Sequence, residues 1–335
     1  MGTLSVQELR VLRAAEIHEP STDESGWLIE QLWAAGAVGL IGGSPKSCKT
    51  WLALEMAVAV ASGRPCLGRF SVPRAGAALV FGAEDAPYQL KRRIESLARA
   101  RNADFHTLEV KLILENSLRL DSEADLQRLR LTLATHRPKL LVLDPYVRLQ
   151  RVDENDVRQV SAILSALREL SRTFQTAVVL VHHARKSAAD RPGQGLRGSG
   201  DFWAWGDSNL YIARKREALL LSVEHRAAAS PPPLSLHLLS PQRGSQQGQS
   251  PVCLEVQDGP SLEQELPSSH PALSGQALQQ RILSCLADAA PRPHRELRSA
   301  MRVRDKHLSQ ALRALEAAGR VQRTPLGWDL SPVHQ

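Results

Sequence analysis

Residues 37–63, AVGLIGGSPKSCKTWLALEMAVAVASG, constrain this chain more than any other stretch. An apolar run ends in two glycines, a polar turn follows, and an apolar helix starts at once and stops at Gly63. A strand that feeds a helix through such a turn aims backbone N–H groups at one point, and the helix dipole favours negative charge there. Gly43, Ser44, Pro45, Lys46, Ser47, Cys48, Lys49 and Thr50 follow the spacing of a phosphate-binding loop. One position departs from it: Cys48 stands where the pattern has glycine. In that pattern the lysine reaches the β- and γ-phosphates and the hydroxyl holds Mg²⁺, so Lys49 and Thr50 take those roles and ATP and Mg²⁺ are the expected cofactors.

The same alternation continues downstream. GAALVFGAE (76–84), TLEVKLIL (107–114), KLLVLD (139–144) and TAVVLVHH (176–183) read as buried strands. Between them lie helical stretches, among them APYQLKRRIESLARA with Leu90, Ile94 and Leu97 on one face. Continuous apolar strands alternating with helices predict an α/β fold with a mainly parallel sheet covered on both faces. SNLYIAR, ALLLSVEH and PLSLHLL then follow one another without helices, which predicts an antiparallel extension at one edge.

Length of 335 residues sets an expectation of about two or three domains. The predicted division is a polar lead-in (1–26), an ATPase domain (27–240), a Gln/Ser/Pro/Gly-rich linker (241–272) and a small C-terminal domain (273–335). The four cysteines form no CxxC pair, which argues against a disulfide framework or a zinc site and for a reducing cytoplasm. No apolar run is long enough to span a membrane.

Four further features carry chemistry beside the loop. Asp144 ends a buried strand, where a carboxylate helps to hold Mg²⁺. Glu84 and Asp85 end another strand; Glu84 is placed to polarise an attacking water, and Asp85 to cap the helix that follows. His182 and His183 are adjacent on a strand, so they face opposite ways and form no metal pair; one of them can sense the γ-phosphate. Arg226 follows a strand and precedes a proline-rich turn, a place from which an arginine can reach a neighbouring subunit's nucleotide.

The ordered series GGSPKSCKTWLAL, VFGAEDAPYQLKRRI, LVLDPYVRL, LVHHARKS, LRGSGDFWAWGDSNLYI and VEHRA resembles the RecA-like ATPases of the plasmid RepA-type, DnaB-like helicase group. The resemblance covers about residues 27–240. It implies a RecA-like P-loop core and a homo-oligomer, often a hexameric ring, with ATP sites between subunits. It further implies Asp144 as the Walker B acid, Glu84 as the catalytic glutamate, His183 as the sensor with His182 as the alternative, and Arg226 as the finger. Two departures stand out. Cys48 replaces glycine, and Glu224-His225-Arg226 replaces the helicase-like Lys-x-Arg. A thiol at a helix N-terminus beside Lys49 is expected to have a lowered pKa and to be reactive, and the loop to be competent but weaker.

The C-terminal residues 273–335 read as three helices and a hairpin, the plan of a winged helix-turn-helix. They hold ten Lys/Arg against five Asp/Glu, so they carry most of the chain's +7 charge. Arg302, Arg304, Lys306 and His307 gather at the start of the third helix and Arg323 lies in the hairpin, a pattern that fits contacts to DNA phosphates. The expected function is an ATPase, helicase-like, acting on or with DNA in replication, recombination or mobile-element maintenance. The alternative is a nucleotide-dependent regulator of DNA or protein binding with little or no turnover.

Overall fold

The apolar runs become the centre of one nine-stranded sheet. A computed structural model describes residues 11, 13–16, 26–115, 117–151, 156–183, 201–215, 218–239, 251–257, 275–288, 291–301 and 305–331. The chain divides into two units, Met1–Gly259 and Pro260–Gln335.

In the first unit a short strand pair, β1 (Trp27–Ile29) and β2 (Trp33–Ala34), precedes β3 (Val38–Gly43) and α1 (Lys49–Ser62). Then come β4 (Ala78–Gly82), α2 (Pro87–Ala100), β5 (Val110–Ile113), α3 (Glu123–His136) and β6 (Leu140–Asp144). After them follow α4 (Val157–Phe174), β7 (Ala177–His183), α5 (Asp201–Trp205), β8 (Ser208–Lys215), β9 (Ala218–His225), β10 (Leu234–Leu239) and β11 (Cys253–Val256).

The strand order is β11-β10-β9-β8-β3-β7-β6-β4-β5. The six strands from β8 to β5 pair in parallel, and β9, β10 and β11 extend the β8 edge antiparallel. This is the architecture expected of a RecA-like core. β7 lies between β3 and β6, so the loop strand and the Asp144 strand are separated by one strand.

The strands alternate sides with period 2. Ile41, Val80, Val142 and Val179 face one apolar cluster, where they meet α1 and Leu90, Ile94 and Leu97 of α2. Leu40, Leu79, Leu143 and Leu180 face the other, against Leu129 and Leu133 of α3 and Leu164 and Leu167 of α4. Burial on both faces is why these strands read as unbroken apolar runs. The helix α1 is buried along most of its length, including Glu55 at 0% exposure. That carboxylate accepts from Arg101 Nε at 2.6 Å and from the Leu67 N–H at 2.7 Å.

The structure departs from the expected linker. Cys253–Val256 lie within 241–272, yet they form β11 and pair with β10. Arg101 Nη2 donates to the Leu254 carbonyl at 2.7 Å, and the Ser96 hydroxyl exchanges hydrogen bonds with the Val252 backbone. Ser96 of α2 and Arg101 just after it, over 150 residues earlier, fix this strand; local composition carries no trace of them. The remaining linker residues, 241–250 and 258–272, lie outside the described residues.

The second unit contains α6 (Gly275–Asp288), α7 (His294–Met301), α8 (Asp305–Ala317) and a hairpin of β12 (Val321–Thr324) and β13 (Gly327–Leu330). Leu278, Ile282, Leu297, Leu308, Leu312 and Val321 form its core.

Candidate functional site

The parallel strands β3, β4, β6 and β7 end on the same side of the sheet, and the crevice beyond their C-terminal ends is where an open α/β sheet binds ligands. Here that crevice is a cleft of about 350 Å³. Lys46, Ser47, Cys48, Lys49 and Thr50 line it from the loop, Glu84 and Asp85 from the end of β4, Asp144 from β6 and His183 from β7. Four sequence segments up to 137 residues apart thus converge on one place, since the register sets Gly43 beside His183 and Gly82 beside Asp144.

Gly43 has to be glycine. A Cβ there would lie 2.3 Å from the Ile212 carbonyl oxygen of the adjacent β8 and 2.8 Å from Ser47 Oγ. Cys48 occupies a glycine conformation without being glycine: its φ is 65° and its ψ 23°, in the left-handed region. Such a backbone costs a residue with a Cβ about 1–2 kcal/mol. Lys46 shares it, with φ 63°. The Cys48 side chain caps none of the N–H groups at the start of α1, so these donors are left for another acceptor.

Lys49 is 5% exposed. Its ammonium donates to the carbonyls of Gly43 at 3.0 Å and Ser44 at 2.8 Å, both in its own loop. Burial lowers its pKa to about 8, against the opposing pull of Asp144 and Glu84. Asp144 is 8% exposed, and burial raises its pKa to about 6, opposed by a hydrogen bond from the Thr50 hydroxyl and by the Lys49 charge. Buried groups with displaced pKa values in a cleft mark functional sites.

A carboxylate hydrogen-bonded to a hydroxyl at the foot of an anion-binding loop is a hard-oxygen donor pair. It fits Mg²⁺, which keeps several waters and takes one or two protein ligands beside substrate phosphates. No cluster of three or more His, Cys, Asp or Glu that could hold a metal by itself occurs among the described residues. Thr50 and Asp144 are the residues that would hold the ion.

The structure separates the two histidines. His183 lines the cleft. His182 is 1% exposed and packs at 4.5 Å from the Phe202 ring and 5.5 Å from Tyr146, in the core. Glu84 is half exposed, and its Oε1 accepts from Arg148 Nε at 3.2 Å. Asp85 does not cap α2. Ala86 is the cap residue, its N–H served by Gln89 Oε1 at 3.2 Å. Asp85 instead holds Arg93 in a two-point ion pair at 2.5 and 3.0 Å. The Arg93 guanidinium also sits over the Trp51 ring, 5.5 Å from its centroid. The Cys48 thiol likewise departs from expectation: burial raises its pKa, and Arg214 and Lys49 offset only part of that.

Arg226 is not in the cleft. It follows β9, whose His225 pairs with Ser208 at the start of β8, the end of the sheet away from the loop. Of the basic C-terminal residues, Arg302 and Arg304 lie outside the described residues, Lys306 and His307 fall on α8, and Arg323 is exposed on β12. Sequence reading missed Trp51, Arg93, Arg148 and Arg214. For Arg93 a signal existed, since it lies one helical turn from Leu90 and Leu97 on the inward side of α2. Trp51 in α1, Arg148 after β6 and Arg214 in β8 take their place in the site from tertiary neighbours rather than from a local pattern.

Strand, glycine-bearing loop, buried lysine and carboxylate together give the cleft the parts of a P-loop nucleotide site. The chain belongs to the AAA-domain family, whose sequence profile matches residues 5–189. A crystal structure of the RadB recombinase is similar in fold with a TM-score of 0.46 at 15% identity, over 61% of this chain and 88% of that one. A crystal structure of a KaiC-like protein from the hyperthermophilic archaeon Pyrococcus horikoshii OT3 has a TM-score of 0.46 at 17% identity, over 70% of this chain and 95% of that one. No curated protein matches the chain. Among the described residues no helix is long and apolar enough to cross a membrane.

Proposed function

We propose that this protein binds and hydrolyses ATP and acts on or with DNA. The observation that carries the reading is the convergence of Lys49, Thr50, Asp144, Glu84 and His183 on one cleft at the ends of four adjoining parallel strands. The N–H groups at the start of α1 bind the polyphosphate. Lys49 gives up the Gly43 and Ser44 carbonyls for phosphate oxygens, exchanging neutral acceptors for charged ones. Thr50 and Asp144 would hold Mg²⁺, which when bound would offset negative charge on the phosphates. Glu84 orients and deprotonates the attacking water, and His183 contacts the γ-phosphate from the neighbouring strand. Arg226 completes the site of a neighbouring copy in a homo-oligomer, a ring of six being the form that the resemblance implies. The C-terminal unit is a winged helix-turn-helix, and its basic residues meet DNA phosphates. The lead-in, ATPase core and C-terminal unit are separate parts of the chain, as the sequence division has them. Release of phosphate from ATP, with and without single-stranded or duplex DNA, tests the reading; turnover no greater than that of Lys49→Ala overturns it.

One observation favours a second reading, a nucleotide-dependent regulator with little turnover. Glu84 is already engaged by Arg148 at 3.2 Å, so that contact has to open before the carboxylate can hold an attacking water. Tight ATP binding without phosphate release above the Lys49→Ala background, together with DNA affinity that changes on ATP addition, identifies this case.

A further inference from the structure

We propose that Arg214 is a second phosphate-binding cation of this site, acting within the same subunit and held ready by Cys48. The inference rests on the nucleotide reading above.

Arg214 lies near the end of β8, two residues beyond Ile212, which pairs with Gly43 at the mouth of the loop. The parallel register therefore carries it past the last glycine, level with the turn. Its Nη2 lies 3.8 Å from Cys48 Sγ. Cys48 immediately precedes the N-terminus of α1, where uncapped N–H groups gather. The guanidinium is thus one side chain away from those donors.

Its present partner is poor. A thiol is a weak acceptor, and among the described residues Arg214 forms no ion pair with a carboxylate. The other arginines around the cleft are engaged: Arg93 by Asp85 and Arg148 by Glu84. Arg214 is exposed at its strand end, so its fork can turn toward phosphate oxygens without disturbing the core, and the planar guanidinium matches two such oxygens at once. Moving from sulfur to a phosphate replaces a weak neutral contact with a charge-assisted one.

This gives Cys48 a purpose that glycine cannot serve. The left-handed backbone keeps the loop's path, and the side chain it carries reaches across to β8 and touches the arginine.

Binding of ATP, ADP and AMP is measured for the full-length wild type, Arg214→Gln, Arg214→Lys and Lys49→Ala, each checked for an unchanged melting temperature. Arg214→Gln is expected to weaken ATP and ADP about tenfold, the worth of one charge-assisted hydrogen bond, and AMP much less. Arg214→Lys, with charge but no fork, falls between. The loss is the same at low and high protein concentration. Equal ATP affinity in Arg214→Gln and wild type overturns the inference, as does a loss that emerges only as protein concentration rises, which places the arginine at a neighbour's site. Wild type that binds ATP no better than Lys49→Ala overturns the nucleotide reading itself and the inference with it.

Discussion

Arg226 donates from Nη1 to Asp207 Oδ1 at 3.1 Å, at the end of the sheet opposite the phosphate loop. Asp207 also accepts from Arg168 at 2.9 Å and from the Val38 N–H at 3.3 Å, and Arg226 reaches the Ala204 carbonyl. The arginine is therefore held away from the cleft of its own chain, as the proposed role at a neighbouring copy's site requires. Arg226→Ala is expected to lower ATP turnover by about a thousandfold, with ATP affinity within about twofold of wild type. Steady-state phosphate release and equilibrium binding measure the two effects; full turnover in the variant refutes the trans role.

Asp144 gives the site an acid limb. With its pKa raised to about 6, the carboxylate that would hold Mg²⁺ protonates below that value, so turnover falls as pH drops through about 6. Stability without nucleotide runs the other way for this group. A carboxyl whose pKa is higher in the folded protein than the ordinary 3.8 favours folding at low pH and loses that contribution as pH rises through about 6. Relative to Asp144→Asn, the wild type should thus lose stability between about pH 4 and 6. Urea unfolding of both proteins across that range checks the sign.

Cys48 separates backbone strain from side-chain chemistry. Cys48→Ala keeps a Cβ at φ 65° and Cys48→Gly removes it. The glycine variant should be the more stable of the two by about 1 kcal/mol, the left-handed penalty less glycine's extra chain entropy. Because burial raises the thiol pKa, iodoacetamide should label Cys48 more slowly at neutral pH than it labels a free cysteine, and ATP should slow it further. Mass spectrometry of labelled peptides reads both rates.

The pair Arg101–Glu55 is buried, at 6% and 0% side-chain exposure. Arg101→Met leaves Glu55 as an uncompensated buried carboxyl and frees the Leu254 carbonyl of β11. A loss of about 3–5 kcal/mol in urea unfolding is expected. Arg101→Met with Glu55→Leu should lose less than the single change, since no lone charge remains.

Legibility followed burial. Val142 and Val179 sit on two-sided strands, so hydrophobicity alone announces them, and Lys49, Thr50 and Asp144 stand out in the sequence because each closes such a strand or opens its helix. His182 and His183 could not be told apart, because the pleat's phase depends on which face β7 presents to Phe202. Asp85 was misassigned as a cap because its partner Arg93 lies two turns along α2, and a capping pattern looks only three residues ahead. β11 was invisible because Ser96 and Arg101, which hold it, are remote in sequence. Arg214 was overlooked because its meaning comes from register with Gly43 rather than from any neighbour in the chain.

The contacts of Lys49 with the Gly43 and Ser44 carbonyls bear on how the protein waits between nucleotides. An ammonium whose donors already have acceptors within the loop needs no water in those places, so the loop folds its own cation inward. On the proposed function, capture of a nucleotide is then an exchange of partners, in which Lys49 leaves two loop carbonyls for phosphate oxygens.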